Sequence, residues 1–165
     1  TIKSHWLPFG LGRTKSGSIP ETLEKAAELV DIMLEKIPQV ATELQKRNVF
    51  LSIFGIGESA YDVPEHRMGY LLATRPVEGF GGDVASVSEA NVIRRKYGRY
   101  ATAYPNESIL AHEFGHSIHL SGINELEDQS LAKELEAHGD RFVKNEWMRR
   151  QLFEGRKHLG AWFVQ

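Results

Sequence analysis

Cysteine is absent from this 165-residue sequence, and no apolar run is long enough to cross a bilayer. Without cysteine the chain forms no disulfide, binds no metal through thiolates and has no cysteine nucleophile. The formal net charge is only -2, so we expect no strong attraction to nucleic acid or to an anionic membrane. The hydrophobic fraction of 41% is ordinary for a globular protein. We therefore predict a single domain over residues 1–165, large enough to bury a core.

The most informative stretch is the pattern His-Glu-x-x-His at residues 112–116. On a helix, His112 and His116 lie one turn apart and point the same way, so both imidazoles can bind one zinc ion. Glu113 then lies beside that ion, where a general base is needed. The alternative is a surface helix with two hydrated histidines, but apolar neighbours favour a buried helix whose histidines need partners. These neighbours are Ile109, Leu110, Phe114 and Ile118.

Hydrophobic periodicity predicts the scaffold around this motif. A helix is expected to begin at Pro20 and to kink or restart at Pro38, because proline suits the first helical turn and interrupts a helix interior. Residues 49–56 are apolar and rich in β-branched and aromatic side chains, which predicts a strand buried on both faces. We expect loops over 1–19 and 58–68, a second strand over 69–74 and a flexible glycine-rich turn over 76–83.

Residues 84–93 predict a strand followed by a loop. If that strand lies at the sheet edge near the metal, it could bind an extended peptide by strand addition. A basic cluster follows, which we expect to be solvated surface. Three tyrosines beside it could pack or line a cleft, and we favour packing. The cluster is Arg94, Arg95, Lys96 and Arg99, and the tyrosines are Tyr97, Tyr100 and Tyr104.

Capping residues predict where two helices begin and end. Asn106 is the expected N-cap of the motif helix, and Gly122 is its expected end. A further helix is expected to begin at Asp128 or Ser130 and to run to about Glu154.

Several segments around the motif occur in the order seen in a known family. They are Val63-Pro64-Glu65-His66, Gly79-Phe80-Gly81-Gly82, Ser88-Glu89-Ala90-Asn91-Val92, Arg99-Tyr100 and Asn106-Glu107-Ser108, which leads into the motif. On these segments the chain resembles the catalytic domain of anthrax lethal factor-like metallopeptidases and their Pro-Pro endopeptidase relatives. The resemblance implies an α+β, zincin-like metallopeptidase domain, with a small mixed sheet, an active-site helix and flanking helices. It also implies zinc binding by His112 and His116, with Glu113 as the general base.

A catalytic zinc site needs three protein ligands and one open position. In the resembled family the third ligand is a downstream Glu in a Glu-x-x-Ala-Glu pattern that follows a Tyr. This pattern is not found after the motif in this sequence. His158 is nearest to the position expected for the ligand, and no tyrosine follows Tyr104. Alternatively, Glu136 lies twenty residues after His116 and is followed by Asp140, which resembles the Glu-x-x-x-Asp arrangement of thermolysin-like enzymes. Both Glu136 and His158 remain candidates for the third ligand.

Two functional hypotheses follow. The first is a zinc endopeptidase acting on a peptide or protein substrate. The second is a zincin-fold binding module that keeps His112 and His116 but has lost the third ligand or the oxyanion donor. A nucleic-acid binder is disfavoured by the net charge and by the lack of a reading motif. The chain begins at Thr1 with no visible signal peptide, and the resemblance implies secretion, so we expect a mature or trimmed secreted protein.

Overall fold

The computed structural model describes residues 12–13, 20–66 and 77–144 and divides the chain into two units, Thr1–Leu126 and Glu127–Gln165. The described part of the first unit contains a four-stranded sheet in the order β1-β2-β4-β3. Strands β1, β2 and β4 are mutually parallel, and β3 pairs antiparallel with β4. The strands are β1 (Gly12–Arg13), β2 (Phe50–Phe54), β3 (Gly79–Phe80) and β4 (Val84–Ser88). The expected α+β class with a small mixed sheet is thus confirmed.

The predicted restart of the helix at Pro38 is confirmed, because two separate helices are present there. The first helix ends at Leu34, and the next begins at Pro38, where proline occupies the first turn. Asn48 ends the second helix in the left-handed conformation, and the N–H of Val49 donates to the carbonyl of Leu44. The helices are α1 (Pro20–Leu34), α2 (Pro38–Lys46), α3 (Glu89–Val92), α4 (Ile109–Ser117) and α5 (Ser130–Lys144).

Strand pairing separates the sheet into two faces. Gly79 lies opposite Val87, and the Gly79 backbone approaches the side chains of α4, so this face packs on the motif helix. Phe80 lies opposite Ser86 and therefore faces the other way. On that second face Phe80 packs against a buried cluster. Its members are Phe54, Ala60 and Val63, with Val77 and Val84 beside them.

Three predicted segments around the sheet differ from the structure, and the condition for strand addition, an edge position of the strand within 84–93, is not met. Residues 76–83 are not simply a flexible turn, because β3 lies within them and forms backbone hydrogen bonds with β4. Strand β4 does occur within 84–93, but it lies between β2 and β3 rather than at the sheet edge. It is followed by α3 rather than by a loop, because the Ser88 side chain accepts a hydrogen bond from the N–H of Asn91 and caps this helix. The predicted loop over 1–19 also contains β1.

The region before the motif helix corrects two further predictions. Tyr97 is 85% exposed, so the expected packing is wrong for this residue. Tyr100 is 44% exposed, but its ring lies against Gly57, where a β-carbon would be 3.3 Å away. The N-cap of α4 is Ser108 rather than Asn106, because the Ser108 hydroxyl accepts a hydrogen bond from the N–H of Ala111. The helix then continues as a π-helical turn over Ile118–Gly122, which confirms its predicted end.

In the second unit, α5 begins at Ser130 as predicted, and the Asp128 carboxylate accepts a hydrogen bond from the Ser130 N–H at 2.9 Å. Its predicted end at Glu154 and the predicted strand over 69–74 lie outside the described residues. No helix in the described ranges combines the length and apolarity that a membrane crossing requires.

Candidate metal centre

The motif lies on α4, which is anchored at its first turn and buried along one side. The Ser108 cap fixes the start of the helix and places His112 and Glu113 in its middle. Ile109 and Phe114 are buried against the rest of the unit, at 1% and 0% exposure. His116 is exposed and His112 is half-buried, so the histidine side of the helix opens to solvent. The apolar residues therefore hold α4 in place while the imidazoles stay accessible to an ion.

The two histidines converge as the spacing predicts. Their Nε2 atoms lie 3.2 Å apart, and the ring planes are nearly perpendicular at 88°. Two nitrogen ligands held about 2.0–2.1 Å from one tetrahedral zinc lie roughly 3.3–3.4 Å apart. The observed separation of His112 and His116 therefore fits two ligands of one such ion.

The protonation state of His112 also suits metal binding. Burial, and then repulsion by the neighbouring imidazole of His116, lower the pKa of His112 below its usual value of 6.5, although Glu107 opposes this shift. A histidine binds a metal only in its neutral form. The site thus favours the form of His112 that can act as a ligand near neutral pH.

Glu113 occupies a different environment from the histidines. Its side chain is only 8% exposed, and burial raises its pKa from 4.5 to about 7. A ligand atom of Glu113 and those of His112 and His116 all lie within 4.8 Å of one another. A carboxylate with a pKa near neutrality can both accept and return a proton, as a general acid–base catalyst must.

Strand β3 and the residues after it lie directly against this helix. A β-carbon on Gly81 would lie 2.5 Å from the Cβ atom of His116 and 2.8 Å from the carbonyl oxygen of Glu113. The Ser117 hydroxyl donates to the carbonyl oxygen of Gly82 at 2.6 Å, which secures the segment to the end of α4. Sequence reasoning missed this contact, although three glycines within residues 79–82 were its signal.

The Ser121 hydroxyl makes a second link of this kind. It lies 2.6 Å from a carboxylate oxygen of Asp83 and donates to it. Ser121 is 4% exposed and belongs to the π-helical turn that extends α4. The segment after β3 is therefore hydrogen-bonded to the helix at Ser117 and again about one turn later at Ser121.

The structure brings together His112, Glu113 and His116, and among the described residues these form the group that could hold a metal ion. This donor set is not specific to zinc. Glu136 lies on α5 in the second unit and is exposed, and His158 falls outside the described residues. The identity of the third ligand therefore stays a prediction.

Comparison with protein-family models, with curated proteins and with solved structures finds no match to this chain.

Proposed function

We propose that the protein is a zinc-dependent endopeptidase with a zincin-like fold, similar to the lethal factor-like and Pro-Pro endopeptidase metallopeptidases. The observation that carries this proposal is the 3.2 Å separation of the His112 and His116 Nε2 atoms beside a buried Glu113. Further support comes from the mixed sheet, because its antiparallel strand β3 lies alongside the motif helix. The resemblance of the sequence segments to those metallopeptidases supports peptide-bond hydrolysis as the reaction.

In this proposal His112 and His116 hold the ion, and Glu136 or His158 supplies the third ligand. Bound zinc supplies Lewis acidity, which polarises a peptide carbonyl and allows water to react near pH 7. Glu113 accepts a proton from the attacking water as the new C–O bond forms. It then gives that proton to the amine nitrogen as the C–N bond breaks. The pKa of Glu113, raised to about 7 by burial, suits both transfers.

The proposed substrate is a peptide or a protein, and the proposed location is outside the cell. Both come from the family resemblance rather than from the site.

A second candidate function is a zincin-fold binding module that retains the two histidines without cleaving peptides. The observation that favours it is in the sequence, where no tyrosine follows Tyr104 to supply an oxyanion donor. Such a module would bind metal through His112 and His116 but would not depend on Glu113 for any reaction.

The test is peptide cleavage by the purified chain in a complex peptide mixture, with new termini identified by mass spectrometry. We expect cleavage that a chelator abolishes and zinc restores, and that falls at least about a hundredfold in Glu113→Gln. Glu28→Gln, which changes an exposed carboxylate on α1, is the matched control and should retain activity. Metal binding without Glu113-dependent cleavage would favour the binding module, and the absence of metal binding would contradict both candidates.

A further inference from the structure

Asn91 is a buried polar residue that contacts the start of the motif helix from α3. Its side chain is 1% exposed. The Oδ1 atom accepts a hydrogen bond at 2.9 Å from the N–H of Ile109, which is the first residue of α4. The Nδ2 group donates to the carbonyl oxygens of Tyr104 and Glu107, each at 3.1 Å. One carboxamide therefore provides hydrogen-bond partners for a backbone N–H at the start of the helix and for two backbone carbonyls in the loop before it.

The same carboxamide is linked to the segment that precedes β3. The Thr102 hydroxyl oxygen is a third acceptor of Asn91 Nδ2, at 3.1 Å, so the two N–H hydrogens of this group are shared among three oxygens. The Thr102 hydroxyl in turn donates to the Glu78 carboxylate at 2.6 Å. The other carboxylate oxygen of Glu78 accepts from the N–H of Ala103, also at 2.6 Å. Hydrogen bonds to a carboxylate at these distances are among the stronger ones in proteins. Glu78, Thr102, Asn91 and Ile109 thus form a continuous bridge from β3 to α4.

This bridge spans the contact on which the site depends. A β-carbon on Gly79 would lie 2.7 Å from the side chains of both Ile109 and Glu113, which are one helical turn apart. Glu78 is next to Gly79 in the chain, and Asn91 binds the backbone of Ile109. One end of the bridge, Glu78, therefore lies next to the strand, and the other end, Ile109, lies on the helix that the strand contacts. A shift of α4 along its axis would break the bridge and move Glu113 away from β3.

We propose that Asn91 is a positioning residue for the metal centre. Through Ile109, and through Thr102 and Glu78, it fixes where α4 lies against β3 and so where His112 and Glu113 stand. The hydrogen bonds of the Asn91 carboxamide go to the backbone of Ile109, to Thr102 and to the loop before α4, so its effect passes through the helix backbone. This inference rests on the proposed function, because it assumes that His112 and His116 bind a metal.

The matched pair Thr102→Val and Thr102→Ser tests the bridge in its middle. Valine keeps the shape of threonine but removes the hydroxyl that joins Asn91 to Glu78, whereas serine keeps the hydroxyl. The measurements are the Co²⁺ absorption spectrum of the full chain and the dissociation constants for Co²⁺ and Zn²⁺. We expect Thr102→Val to weaken metal binding at least about threefold and to alter the Co²⁺ spectrum. Thr102→Ser should stay within about twofold of the unsubstituted chain.

Asn91→Ala removes the link between Thr102 and Ile109 and should weaken metal binding by about tenfold or more. Val63→Ala is the control for a general loss of stability, because Val63 is 1% exposed in the cluster on the other sheet face. It should lower the melting temperature but leave the Co²⁺ spectrum and both dissociation constants unchanged. If Asn91→Ala does not fold, the Thr102 pair decides the question.

The inference is overturned if Thr102→Val folds and binds Co²⁺ with an unchanged spectrum and affinity. It is also overturned if Val63→Ala weakens metal binding as much as the bridge variants do. An unsubstituted chain that binds neither Co²⁺ nor Zn²⁺ would contradict the proposed function itself, and the inference with it.

Discussion

The backbone of Gly79 lies so close to Glu113 that a β-carbon on the glycine would be 2.7 Å from the Cγ atom of the glutamate. The same β-carbon would be 2.6 Å from the carbonyl oxygen of Ser86, which belongs to the neighbouring strand and cannot easily move. Glycine at this position therefore allows β3 to lie against the motif helix. This close packing contributes to the burial of Glu113, and burial raises the pKa of that carboxyl group.

Substitution of Gly79 by alanine should destabilise the protein by about 2 kcal/mol or more, because the added methyl group overlaps backbone as well as side-chain atoms. Urea unfolding of the metal-free chain measures this loss. Gly115→Ala is the matched control within the motif helix, since its β-carbon would meet nothing within 4 Å. Alanine there should stabilise the chain by about 0.5–1 kcal/mol through helix propensity. Equal effects of the two substitutions would contradict the close approach of β3 to α4.

Arg94 adopts the left-handed conformation, with φ of 55°, at the end of α3. The N–H of Arg95 donates to the carbonyl oxygen of Ala90 at 2.8 Å, as in a Schellman motif, where glycine is the favoured residue. Arg94→Gly should therefore stabilise the protein by about 0.5–1 kcal/mol, measured by urea unfolding. Asn48→Gly at the equivalent position after α2 should change stability by less than about 0.5 kcal/mol, because asparagine tolerates this conformation. Destabilisation by Arg94→Gly would indicate that the arginine side chain contributes more than its backbone strain costs.

The free energy of unfolding of the metal-free protein should depend on pH through the titration of Glu113. Burial raises its pKa from 4.5 to about 7, so the folded metal-free protein binds this proton more tightly than the unfolded chain. The resulting stabilisation is fully present below pH 4.5 and is lost as the pH rises through about 7. Glu113→Gln lacks this loss, so its stability relative to the unsubstituted chain should rise across this range by about 1–2 kcal/mol, allowing for partial solvent contact of the carboxyl group.

Thermal or urea unfolding at several pH values measures that difference. The pKa of His112 is lowered mainly by burial, but this histidine titrates in both proteins, so comparing them removes most of its contribution. Glu28→Gln, at an exposed position, should run parallel to the unsubstituted chain at every pH. A difference between Glu113→Gln and the unsubstituted chain that does not change with pH would show that Glu113 is not held in an environment that disfavours its charge.

The third ligand can be identified by substitution at the two candidate positions. We expect either Glu136→Gln or His158→Asn, but not both, to lower the affinity for zinc by at least about a hundredfold. His138→Asn is the control, because His138 is exposed on α5 and pairs with Glu134 at 3.8 Å. Zinc affinity that survives both candidate substitutions would exclude the two residues as ligands.

Local patterns predicted the parts of the fold that local forces determine. The helix break at Pro38 follows from proline geometry, and the motif helix follows from its apolar positions together with the spacing of His112 and His116. The buried strand within 49–56 follows from its β-branched and aromatic residues. In each case the determining residues lie within a few positions of one another.

The remaining features depend on contacts between distant residues. Strand β3 has only two residues, and its position depends on the approach of Gly79 to a helix about thirty residues further along the chain. The local pattern predicts that Asn91 lies in a loop after a strand, yet its partner Ile109 lies eighteen positions away. The N-cap is Ser108 and not the predicted Asn106. Both residue types can cap a helix, so the local sequence alone does not distinguish between them.

The most direct test of the central claim is the zinc affinity and stoichiometry of the purified chain at neutral pH, compared with those of His112→Asn and His116→Asn. We predict about one zinc ion per chain, with an affinity that falls at least about a hundredfold in either variant. His119→Asn, which changes an exposed histidine just beyond the motif, should bind as the unsubstituted chain does. A chain that binds no zinc, or that binds it equally well without either motif histidine, would contradict the account.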